Sequence, residues 1–87
     1  MNRLLEILSS GDGYTTKTAY HVNEVMEEYA ILNHYGLKLT AQFLETIDGR
    51  MYDKMQCKDN KGNKHTLYFD ITEHMQRLSE QCKDDLT

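Results

Sequence analysis

Apolar positions along this chain follow two periods, and the change between them falls near Gly36. Leu4, Leu5 and Leu8 suit a short helix over residues 2–9. Ser9, Ser10, Gly11, Asp12 and Gly13 then form a cluster of helix breakers. From about Lys17 to Tyr35, the residues Val22, Met26, Tyr29 and Leu32 recur at three- and four-residue steps, with Val25 flanking. That spacing predicts one long helix with these side chains as its buried stripe. Asn23, Glu24, Glu27 and Glu28 fall on the opposite side and read as a solvated ridge. A hydroxyl of Thr15 or Thr16 is expected to accept from a free N–H of the first turn. Gly36 is expected to end the helix in the left-handed conformation, with His34 suited to the negative end of the dipole.

Beyond Gly36 the period becomes two. Leu37, Leu39, Ala41, Phe43 and Ile47 would share one face of a first strand. Met51, Met55 and Cys57 alternate through a second, and Leu67, Phe69 and Ile71 through a third. Between the last two, Asp59, Asn60, Lys61 and Gly62 match a type I turn closed by a left-handed glycine. That loop sets Asp59 opposite Asn63, Cys57 opposite His65, Met55 opposite Leu67 and Met51 opposite Ile71. Turn chemistry and apolar pattern therefore give the same register. At the first hairpin they conflict. A two-residue Asp48–Gly49 turn pairs Ile47 with Arg50 and throws the apolar faces out of phase. Pairing Ile47 with Met51 keeps them in phase, and burial of a whole face is expected to decide. Glu45 then lies opposite Asp53.

A final helix is predicted from about Thr72 to Cys82, with Asp70 and Glu73 at capping-box spacing and Ile71, Met75, Leu78 and Cys82 on one face. Residues 83–87 read as a frayed tail. The expected fold is a single α+β domain over residues 1–87. It comprises a short N-terminal helix, a long helix, a three-stranded antiparallel meander and a C-terminal helix (α-α-β-β-β-α). The helices should pack on one sheet face and leave the other wet.

Composition narrows the function. At 87 residues, with 39% hydrophobic and 28% charged side chains and no Pro, there is room for a thin core and none for a doubly wound nucleotide fold. A chain of this size buries roughly 60% of its unfolded surface. Fourteen acidic against ten basic residues leave a net charge of -4, which argues against neutralising phosphates, so no nucleic acid is expected. Leu4, Leu5, Ile7 and Leu8, interrupted by Glu6, are too short a run for export or membrane spanning. A cytoplasmic location with reduced thiols is the expectation. The two cysteines, Cys57 and Cys82, make no disulfide framework, although one bridge between them is left open.

Three constellations invite chemistry. Gly11 to Thr18 approximates a phosphate-binding loop, but Thr16 stands where the second glycine must let backbone N–H groups curl around the phosphates. Cys57 and His65, cross-strand neighbours roughly 5 Å apart at Cβ, form a candidate metal pair that His74 would complete. No C-x-x-C, H-E-x-x-H or E-x-x-H spacing accompanies them. Glu45 and Asp53, if opposed, are carboxylates whose pKa values would split. No nucleophile, base and oxyanion donor come together, so no catalytic residue, no cofactor and no enzyme activity is expected.

Tyrosines point to contact instead. Six Tyr stand against two Phe and no Trp. Tyr52 and Tyr68 alternate with the apolar residues, which places them on the sheet face away from the helices, together with Leu44, Lys54 and Thr66. Tyrosine offers a large ring with a polar tip, as binding surfaces favour. The order of elements resembles that of the double-stranded-RNA-binding domain. That family carries a basic cluster at the start of its last helix, where this chain has Thr72, Glu73 and His74. The expected function is a small acidic interaction module, of inhibitor, immunity or regulatory type. It would bind a basic protein partner or a second copy through the tyrosine face or the Glu24, Glu27, Glu28 ridge. A metal- or small-ligand domain using Cys57, His65 and His74 is the alternative.

Overall fold

The sheet has one more strand than the apolar pattern announces. The computed structural model describes residues 3–85, with side chains described for 3–79. In chain order the elements are α1 (Arg3–Ser9), β1 (Tyr20–His21), α2 (Val25–His34), β2 (Lys38–Ile47), β3 (Arg50–Lys58), β4 (Lys64–Asp70) and α3 (Thr72–Asp85). The strands lie in the order β1-β4-β3-β2, with β1 parallel to β4 and the other pairs antiparallel. The class is α+β. The three-stranded antiparallel meander and the long helix are corrected to a four-stranded mixed sheet and a helix of ten residues.

Residues 17–24 leave the helix because their backbone is claimed elsewhere. The N–H of Thr18 donates to the Thr15 hydroxyl at 3.1 Å, and the two hydroxyls share a bond at 2.8 Å, local bonding that competes with a helix. Tyr20 and His21 then pair with Phe69 and Asp70, and the Val22 N–H donates to the Asp70 carbonyl at 3.3 Å. Tyr68 N–H donates to the Gly13 carbonyl at 2.7 Å, so the Gly11–Ala19 loop also covers part of the β4 edge. These bonds satisfy backbone groups that would otherwise be buried unpaired. Glu24 precedes α2 in extended conformation with no side-chain cap, so neither Thr15 nor Thr16 caps it.

Starting later, α2 buries a different face. Glu28, Ile31 and Leu32 point inward, whereas Met26 and Tyr29, expected in the core, are exposed. Its C-terminus follows expectation. Gly36 adopts φ +66°, and the Leu37 N–H donates back to the Leu32 carbonyl at 2.8 Å, a Schellman closure.

The β3–β4 hairpin keeps the register expected of it, with Cys57 opposite His65 and Met55 opposite Leu67. The β2–β3 hairpin does not. Asp48 and Gly49, at φ 51° and 80°, form a tight turn that pairs Ile47 with Arg50. Positive φ at both central residues matches the twist of the flanking strands. The phase conflict is absorbed lower down by a bulge. Leu39 pairs with Cys57 and Ala41 with Gln56, leaving Thr40 extra, its hydroxyl donating to the Gln56 carbonyl at 3.0 Å. Beyond the bulge every side chain of β2 changes face. Leu44 joins Asp53 on the helix side, while Phe43, Glu45 and Ile47 turn outward.

Ile7, Tyr20, Val22, Ile31, Leu32, Met55, Cys57, Leu67, Phe69 and Ile71 form the buried cluster, with Leu4, Leu8, Leu39, Met51 and Met75 packed against it. Side chains from all three helices thus meet the Met55 face of the sheet. Full burial of each large aliphatic or aromatic residue stabilises the fold by about 1.5–3 kcal/mol. At the start of α3, Asp70 Oδ1 accepts from both the N–H and the hydroxyl of Thr72, at 3.0 and 2.7 Å, in place of the expected Asp70–Glu73 box. Leu78 is exposed. The helix runs on through Asp85, past the expected end at Cys82, so residues 83–85 are helical rather than a tail. The face of Cys82 and its pairing with Cys57 lie outside the described side chains, and residues 86–87 outside the described chain. Among the described residues no helix is long and apolar enough to cross a membrane.

Candidate functional site

On the sheet face away from the helices, side chains form rows across three strands. Phe43, Lys54 and Tyr68 make one row, Glu45, Tyr52 and Asp70 the next, and Ala41, Gln56 and Thr66 a third. The ammonium of Lys54 lies 5.9 Å from the centre of the Tyr68 ring, within cation–π range. Tyr52, Lys54, Thr66 and Tyr68 therefore share this face, as their alternation predicts. Tyr52 is nonetheless buried, standing between Glu45 and Asp70, so its ring is a floor rather than an open contact.

Leu44 is the exception, turned to the opposite face by the bulge at Thr40. Its exposure is still 56%, because the helix layer does not extend over that part of β2. Phe43 and Ile47, on the outer side, are 49% and 40% exposed. The distal half of β2 thus carries open apolar side chains on both faces. Among the described residues β2 is also one of the two edge strands of the sheet, unpaired along its outer side. Long edges of this kind are what natural sheets usually blunt with charges or proline.

Asp70 anchors the row behind this edge. Burial alone would raise its carboxyl. The Arg50 guanidinium, with Nε 2.8 Å from Oδ2, and the two Thr72 donors hold it below the usual carboxylate range.

The glutamate ridge is not a surface. Glu24 is exposed at the helix boundary. Glu27 is bound by Arg3 of α1, Nε to Oε2 at 2.6 Å, and accepts from the Asn23 N–H at 2.6 Å. Burial works against the charge of Glu27, and these two donors still keep its carboxyl below the usual range. Glu28 is buried under α2 against Asp53, and its Oε2 has no hydrogen-bond partner among the described residues. Burial first, and the Asp53 carboxyl second, push the Glu28 carboxyl up to about 9. Gln42 Nε2 donates to Asp53 Oδ2 at 3.0 Å. This carboxyl pair replaces the Glu45–Asp53 pair, whose members now lie on opposite faces of the sheet. Its sequence signal was present. Asp53 sits in the apolar alternation between Met51 and Met55, and Glu28 lies three and four residues before Ile31 and Leu32.

Cys57 and His65 are cross-strand partners, but their side chains are engaged separately. His65 Nε2 lies 2.9 Å from Asp59 Oδ2. The Cys57 thiol, buried and 3.8 Å from the Met55 carbonyl, is pushed up by desolvation and so held as the thiol. His74 lies in the first turn of α3. Among the described residues no group of three or more His, Cys, Asp or Glu side chains is placed to hold a metal ion. The phosphate-loop lookalike closes on itself, with Asp12 Oδ1 accepting from the Tyr14 N–H at 3.0 Å and the Thr18 hydroxyl at 2.6 Å.

No curated protein matches the chain, and no solved structure does. A family model described as a domain of unknown function matches residues 1–80, which spans the fold from α1 into α3. The chain belongs to that family, DUF4919.

Proposed function

We propose that this chain is a non-catalytic protein-interaction module that pairs with a second copy of itself along the free edge of β2. The observation that carries the reading is the exposure of Phe43, Leu44 and Ile47 on both faces of a ten-residue edge strand. An added strand satisfies the open backbone groups and covers both sets of side chains at once. A basic partner drawn to a glutamate ridge has less support, because Glu27 is already paired and Glu28 is buried.

Self-pairing also has a register that the side chains favour. A two-fold axis normal to the sheet must set outward residues against outward residues. Centring it on Phe43 brings the two Phe43 rings together, Leu44 beside Gln42 and Glu45 beside Ala41. Centring it on Glu45 would oppose two carboxylates, which is destabilising. The alternative of a metal site using Cys57, His65 and His74 has two of its three side chains engaged elsewhere.

Sedimentation equilibrium from micromolar to near-millimolar concentration tests the proposal. The wild-type chain should approach twice its monomer mass, and Phe43→Lys, at an exposed position, should stay monomeric with an unchanged circular dichroism spectrum. A wild-type chain that remains monomeric throughout the range refutes self-pairing.

A further inference from the structure

At the end of the sheet remote from the Asp48–Gly49 turn, a cleft of about 200 Å³ is lined by Asp12, Tyr14, Tyr20, Tyr35, Asp59 and His65. Leu37 and Leu67 supply its apolar wall. We infer that this cleft binds an alkylated ammonium group. Three of its lining residues carry phenol rings, of which Tyr14 and Tyr35 are exposed, and no Lys or Arg is among the lining residues. Asp12 and Asp59 supply two carboxylates, each fixed by neighbours. Asp12 accepts from Tyr14 and Thr18, and Asp59 from the N–H groups of Lys61 and Asn63, both at 2.9 Å, and from His65. A methylated ammonium pairs a positive charge with an apolar skin, which is the combination that aromatic rings with a nearby anion recognise.

Two of the rings, Tyr20 and Tyr35, are held in place before any ligand arrives. The hydroxyls of Tyr20 and Tyr35 share a hydrogen bond at 3.2 Å, and His34 packs edge-on against Tyr35 with centroids 4.9 Å apart. Gly13 lies so close to the Tyr20 ring that a Cβ there would overlap its Cε2 atom. The loop and the ring therefore fit only with glycine at that position. A metal ion is a poorer occupant, since hard cations require a shell of several oxygens and the rest of the lining is aromatic rings and leucines.

Nuclear magnetic resonance titration tests the assignment. The probes are choline, a peptide carrying trimethyllysine, and the neutral analogue of choline in which carbon replaces nitrogen. A charged probe should give saturable shifts centred on Gly13, Tyr14, Tyr20, Tyr35 and His65. Tyr14→Leu, at an exposed ring, and Asp59→Asn, which keeps an acceptor for the turn, should each weaken binding about tenfold, the scale of one good cation–π or ionic contact. Tighter binding of choline than of the peptide identifies a free small molecule as the source, and the reverse identifies a modified side chain. Absence of saturable shifts with both charged probes, or equal affinity for the neutral analogue, overturns the inference.

Discussion

The carboxyl of Glu28 on α2 meets that of Asp53 on β3 beneath the helix layer, where the two residues are only 1% and 7% exposed. Two carboxylates cannot both ionise at such a site, so one proton is retained. Gln42 donates to Asp53, and Glu28 keeps an oxygen without a partner among the described residues. Glu28 is accordingly the member that carries the proton at neutral pH, with its carboxyl pushed up to about 9.

Stability should therefore fall as pH rises above neutrality. The folded state holds the Glu28 proton more tightly than the unfolded chain, whose glutamate titrates near 4.5. The stabilisation is complete below that unfolded value and is lost as pH climbs towards 9. Between them the slope approaches about 1.4 kcal/mol per pH unit. Glu28→Gln should flatten the slope and raise the melting temperature at pH above neutrality. Asp53 would then face a neutral amide. Thermal melts of both chains across roughly pH 6 to 8 check this; parallel curves for the two would disprove it.

Asp70 should show the opposite sign. Its folded carboxyl lies below the usual range, so its contribution is present above the unfolded value and disappears as pH falls through the acid range. Asp70→Ala removes the acceptor for Thr72 and the partner of Arg50. A cost of about 2–4 kcal/mol at neutral pH is expected, the scale of charge-assisted hydrogen bonds at a helix start. Urea denaturation measures it, and the difference from wild type should shrink in acid.

Two glycines at similar φ should respond differently to alanine. Gly49, at φ +80°, has nothing within 4 Å of the place an alanine methyl would take, so Gly49→Ala meets only the left-handed backbone penalty of about 1–2 kcal/mol. Gly13, at φ +76°, adds a steric overlap with the Tyr20 ring. Gly13→Ala should lower the denaturation midpoint further than Gly49→Ala, and should also perturb the Tyr20 resonances. Equal effects would count against the close Gly13–Tyr20 approach.

The bulge at Thr40 makes a sharper prediction. Thr40→Ala keeps the residue count and loses one hydrogen bond to the Gln56 carbonyl, a cost of about 1 kcal/mol. Deleting Thr40 with the Asp48–Gly49 turn intact would leave Leu39 opposite Cys57 and Ala41 opposite Gln56 in a regular ladder, with Leu39 still on the core face. The deletion should therefore cost a similar amount in the same urea titration, and a several-fold larger loss would show that the bulge does more than absorb the phase conflict.

Much of this molecule was legible because its determinants are local. The β3–β4 hairpin could be read from Asp59 to Gly62 and the flanking alternation, since a turn and a period of two act over a few residues. Gly36 as the end of α2 was equally legible. The outer-face placement of Tyr52, Lys54, Thr66 and Tyr68 followed from the same alternation.

Other features depend on partners distant in sequence. Val22, Met26, Tyr29 and Leu32 look like a helical stripe, yet β4 needed a neighbour at its edge and took residues 20–22 to supply one. The face of β2 hung on a bulge that no residue type announces, and that bulge moved Leu44 and separated Glu45 from Asp53.

By itself, then, the chain determines where strands alternate, where turns close and which residues are apolar, because these are properties of neighbouring residues. Only the assembled sheet decides that Tyr20 is a strand residue, that Glu28 is buried rather than solvated, and that Phe43 and Ile47 face outward. The physical reason is that burial and backbone pairing are satisfied by the whole molecule, and a local preference yields where the two compete.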